Sequence, residues 1–104
     1  MIITNIETVP NKTITEQLGL VTGSTVRAKN AVSDLGASIK NMFGGELGNY
    51  TQLLEEARQE AMKRMVSQAQ KLCADAIVNV RFSTSSIAEG AAEIYVYGTA
   101  VKLQ

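Results

Sequence analysis

The chain has 104 residues, with ten basic and ten acidic side chains, no histidine, one cysteine and one proline. That length suits one domain, residues 1–104, with a modest core. Its zero formal charge and the lack of a basic run make nucleic acid and anionic membranes poor partner candidates, and no run is apolar enough to span a bilayer. Without histidine there is no Ser-His or Cys-His pair for nucleophilic catalysis, and a single cysteine makes no intrachain disulfide, which suits a reducing cytoplasm.

The N-terminal stretch from Met1 to Thr8 is apolar at Ile2, Ile3 and Ile6 and reads as a small edge strand or an arm. It lacks a basic n-region, so no signal peptide is expected. Val9-Pro10-Asn11-Lys12 has turn chemistry. Ile14 to Ala28 is rich in β-formers, and Gly19 and Gly23 within it predict a bulge or a break. Asn30 or Ser33 can cap a short helix that puts Val32, Leu35, Ile39, Met42 and Phe43 on one face, with Gly44 and Gly45 ending it.

The clearest element is a long amphipathic helix over Asn49 to Cys73. Leu47, Tyr50, Leu54, Ala57, Ala61, Met65, Ala69 and Leu72 recur at steps of three and four and make one apolar stripe. Glu55, Glu56, Gln59, Glu60, Lys63, Arg64, Gln68 and Lys71 take the other face. Asn49 is placed to serve as N-cap, with Gln52 three residues on as in a capping box. Acidic residues come early and basic ones late, as the helix dipole favours, and Glu60 can pair with Lys63 or Arg64.

After a tight turn at Ala74-Asp75, Ala76 to Phe82 reads as a strand, Ser83 to Gly90 as a polar connection, and Glu93 to Leu103 as the strongest strand of the chain. These elements predict an α+β domain of two layers: a small three-stranded antiparallel sheet, last strand central, packed on one face by one short and one long helix. In the last strand Ile94, Val96 and Ala100 point one way, and Tyr95, Tyr97, Val101 and Leu103 the other. Helices on one side cover only one of these faces. A second apolar face and open edges therefore predict a homo-oligomer.

Four places could carry chemistry. Gly44, Gly45, Gly48 and Asn49 precede or open the long helix, where free backbone N–H groups can hold an anion. The loop lacks the lysine of a P-loop, Glu46 beside it repels anions, and a plain interhelical turn is the stronger reading. Tyr95 and Tyr97 can stack a flat ligand or pack at a subunit contact, the latter favoured. Cys73 reads as a small buried apolar residue near the helix end, able to bind a soft metal only if several subunits bring their copies together. The carboxylates outside the helix form no evident dyad, and no cofactor is expected.

Ser33-Asp34-Leu35, Gly44-Gly45, Gly48-Asn49-Tyr50, Glu56-Ala57-Arg58, Ala74-Asp75-Ala76-Ile77-Val78 and Gly98-Thr99-Ala100-Val101, with Val21-Thr22-Gly23 earlier, together resemble the YbjQ-like family. The resemblance runs over nearly the whole chain. It implies a dodecin-subunit-like fold, assembly into a ring, most simply a homopentamer, and a heavy-metal-binding label for a family whose biochemical role is unassigned. Glu46, Thr51, Cys73, Asn79 and the run Ser83 to Ser86 depart from residues frequent in the family, Cys73 standing where a helix-ending glycine is usual. The expected function is a non-enzymatic cytoplasmic ring protein, structural or ligand-binding. Metal or metalloid binding between subunits, or an active site there, are the alternatives.

Overall fold

The computed structural model describes residues 1–28, 46–88 and 91–104. The short helix expected from Asn30 or Ser33, and Gly44 and Gly45 after it, lie outside the described residues.

Five elements follow in chain order: β1 (Ile2–Ile3), β2 (Ile14–Ala28), α1 (Glu46–Lys71), β3 (Ala76–Ala88) and β4 (Ala91–Leu103). The sheet has four strands in the order β1-β3-β4-β2. The last strand is central, as its composition predicts. β2 and β3 flank it antiparallel, and the expected N-terminal edge strand adds to β3 in parallel, which makes the sheet mixed. Residues 21–26 and 96–101, which are alike in composition, are direct neighbours, Val21 lying opposite Gly98 and Gly23 opposite Val96.

Two boundaries differ from the sequence reading. The polar run Ser83 to Ser86 is not a connection but the second half of β3, paired with Tyr95 to Ala92 of β4. These residues are exposed, so hydrophobic alternation gives no signal there; β4 supplies the backbone partners instead. The helix starts at Glu46, three residues earlier than expected. Asn49 therefore sits in its first turn rather than at the N-cap, and the capping position falls outside the described residues.

The 26 residues of α1 make a rod about 39 Å long. It lies across β2 and β4 and barely touches β3. Its buried stripe is narrower than expected: Ala57, Ala61, Met65 and Ala69 are fully buried, Leu54, Met62 and Val66 pack alongside, and Leu72 is exposed. Three of the four central positions are alanine, which lets the helix backbone come down onto the sheet. Val21, Ile77, Val80, Ile94, Val96 and Ala100 complete this core from below.

Two bulges keep these side chains on one face. Gly19, at φ 120°, sits in a register shift of β2, so that Leu18 and Val21 both turn toward the helix despite odd spacing. Asn79, at φ 55°, does the same in β3 for Ile77 and Val80. Gly23 is not a break. It is where the helix comes closest, and a side chain there would run into the Ala61 carbonyl.

The helix ends in a Schellman arrangement. The N–H of Ala74 bonds the Ala69 carbonyl at 3.1 Å, that of Cys73 bonds Gln70 at 3.0 Å, and Cys73 holds the left-handed position at φ 58°. Asp75 then ties the corner to β4, its carboxylate accepting from the Leu103 N–H at 2.8 Å.

The second face of the sheet is not bare throughout. Val9, just before a Pro10-Asn11 turn closed by the Lys12 N–H on the Val9 carbonyl, folds over Ala76, Val78 and Val101. Ile14 and Leu103 flank this small second core. The expectation that the whole face awaits another subunit is corrected to that extent. Among the described residues, the part beyond Val101, from Thr99 toward Tyr95, lacks this cover. The molecule is long and thin, 55 × 24 × 18 Å, with a radius of gyration of 17.0 Å, where a compact chain of this length has about 13 Å.

Candidate functional site

The part of the outer sheet face that no described element covers carries Tyr95 and Tyr97. Strand alternation puts them side by side, ring centroids 5.6 Å apart and planes tilted by 31°, both half-buried. Ser24 and Ser83 lie opposite Tyr95, and Thr22 and Arg81 opposite Tyr97, so the aromatic pair stands in a polar surround. Arg81 does not point freely from this surface. Its Nη1 donates to the Asn5 carbonyl at 2.6 Å and to its neighbour Val80 at 3.0 Å, which straps the N-terminal arm to β3. The pair is thus a half-exposed aromatic platform, able to stack a planar group or to pack on another subunit. Leu20 and Val26 on β2, and Ile2, Ile3, Ile6 and Phe82 on the β1 and β3 side, add exposed apolar surface at both edges.

The sequence did not point to a second feature. Among the described residues α1 makes few contacts with β3, and a cavity of about 370 Å³ opens between them, lined by Glu55, Arg58, Gln59, Met62 and Phe82. Phe82 read as the end of a strand, and nothing in its spacing marks it as half-exposed at a cleft.

Cys73 is exposed, against the expectation of burial. The left-handed backbone at the helix end turns its side chain away from the core, so the sequence signal was the missing glycine rather than the thiol. It stands about 37 Å of helix away from the N-terminal turn that holds Gly48 and Asn49; Gly44 and Gly45 of the same expected anion site are outside the described residues. Among the described residues no three side chains of Cys, Asp or Glu gather as a metal site would require. No helix of the described residues is long and apolar enough to cross a membrane.

A long helix laid on one face of a small mixed sheet, with a half-open aromatic face behind, defines a two-layer α+β domain. The chain belongs to the YbjQ_1 family, described as "Putative heavy-metal-binding", whose model matches residues 1–104. It is 60% identical over its full length to a UPF0145 protein of Hahella chejuensis, covering all of that chain. It is 54% identical to a UPF0145 protein of Archaeoglobus fulgidus, covering 100% of this chain and 96% of that one. The same fold occurs in a crystal structure of a DUF74-family protein of unknown function from Pediococcus pentosaceus, with a TM-score of 0.67 at 17% identity over 100% of this chain and 98% of that one.

Proposed function

We propose that the protein is a non-enzymatic, self-assembling cytoplasmic module whose subunits close into a ring, structural or holding a small ligand between them. One observation carries this reading: exposed apolar side chains stand on both edges of the sheet, Leu20 and Val26 on one and Ile2, Ile3, Ile6 and Phe82 on the other. Two different patches on one subunit favour head-to-tail contacts, and head-to-tail contacts that close make rings. The thin shape supports it, since an isolated chain of these proportions leaves much apolar surface in water. Five subunits are expected from the family resemblance. Tyr97→Lys tests the outer face: a lower mass by light scattering, with the far-ultraviolet spectrum retained, supports its place in the contact, and an unchanged mass removes it.

The family description favours a second reading, a heavy-metal ion held between subunits, and the exposure of Cys73 makes its thiol available for it. One chain supplies a single thiol and no imidazole, so soft-metal binding requires copies of Cys73 from several subunits to converge.

A further inference from the structure

The two long edges of the sheet are not equivalent. Among the described residues β2 is an edge strand, and alternate residues turn their backbone N–H and C=O groups outward, away from β4. Such a row is a template for another chain's strand. In this protein two successive outward-facing residues are already engaged. The Thr22 N–H donates to Gln68 Oε1 at 2.9 Å, and Arg64 Nη1 donates to the Ser24 carbonyl at 2.6 Å. The spacing explains why one helix can do both. α1 runs antiparallel to β2, with Ala57 at Thr25 and Ala61 at Gly23. Four helical residues advance about 6 Å and two strand residues about 6.6 Å, so side chains at positions 64 and 68 meet the outward groups of residues 24 and 22. The close approach at Gly23, between them, brings the helix near enough to reach over the edge. Glu60, one turn before Arg64, holds the guanidinium from behind at 3.3 Å.

The β3 edge is different. β1 and the arm cover it as far as Val80, through Thr4 and Ile6. From Phe82 onward no described strand lies beside it.

We propose that Gln68 and Arg64 are edge guards, which keep β2 from accepting a strand of a second copy and so confine contacts on that side to side-chain packing. The inference deepens the self-assembly reading and rests on it for its consequence, but the guard is tested separately. The first probe is amide hydrogen exchange at Thr22, followed by NMR in the assembled protein. Gln68→Ala is expected to speed exchange there roughly fivefold or more, the loss of one hydrogen bond's protection. Gln68→Glu, which still presents an acceptor oxygen, is expected to restore slow exchange. If Thr22 stays protected in Gln68→Ala, a neighbouring strand already occupies the edge and the proposal is overturned. The second probe is sedimentation of Arg64→Ala/Gln68→Ala, both surface changes on a helix that keeps its buried stripe. An average mass that grows with concentration beyond the wild-type value supports the guard role, and a wild-type mass at all concentrations overturns it. A monomeric wild type would instead refute the assembly reading, and the Thr22 exchange would still decide whether Gln68 covers the edge.

Discussion

Gly23→Ala is the change that tests the helix–sheet contact most sharply. A β-carbon at position 23 would lie on the Ala61 carbonyl oxygen and only 2.7 Å from the Met65 nitrogen, both helix backbone. Neither atom can rotate away, so the helix must retreat by about 1 Å or more, a gap that forfeits a quarter to a half of each dispersion contact under it. The retreat loosens Ala57, Ala61, Met65 and Ala69 together, since they sit on one rigid rod. It also stretches the buried bond from Thr25 Oγ1 to the Ala57 carbonyl, now 2.9 Å. Overpacking of this kind costs about 1–3 kcal/mol and a weakened bond about 1 more. A loss of about 2–4 kcal/mol is a large share of the 5–15 kcal/mol typical of a domain, and it lowers the melting temperature by about 8 °C or more. Circular dichroism melts of the variant and the wild type measure it. A shift of only a few degrees would refute the reasoning, because it would place the helix farther from β2 than the structure does.

Thr25→Val removes only the hydroxyl bond and leaves the helix where it is, so urea unfolding should show a loss of about 1 kcal/mol. Cys73→Gly should raise stability by about 0.5–1 kcal/mol, since glycine holds the left-handed position without β-carbon strain, less its larger unfolded-state freedom. The same variant, dialysed against zinc, copper(I) and cadmium with reductant present, should abolish any binding of one ion per ring if shared thiols hold the metal. Binding that survives would assign it to carboxylates.

The elements that bury an unbroken pattern were legible in the chain. The stripe Ala57-Ala61-Met65-Ala69 and the alternation of Ile94, Val96 and Ala100 each announce one face, and they do meet in one core. What the sequence could not reveal was set by backbone partners rather than by side chains. Ser83 to Ser86 extend β3 because β4 lies beside them, although they are exposed and polar. Gly19 and Gly23 look alike in the sequence, but one supplies a positive φ for a bulge and the other a missing side chain under a helix. Val9, one apolar residue before a turn, gave no sign that it would cover part of the second face. Of the candidate site, the pairing of Tyr95 with Tyr97 followed from alternation. Their place beyond the cover of Val9 did not, and neither did the exposure of Cys73 or the cavity at Phe82.

Self-assembly is the central claim, and the absolute mass of the untagged wild-type protein in solution tests it most directly. Gel filtration with multi-angle light scattering at micromolar concentration should give a single homo-oligomer, with five copies of the 11.2 kDa chain as the expected number. A stable monomer of 11.2 kDa that persists as the concentration is raised would contradict the account.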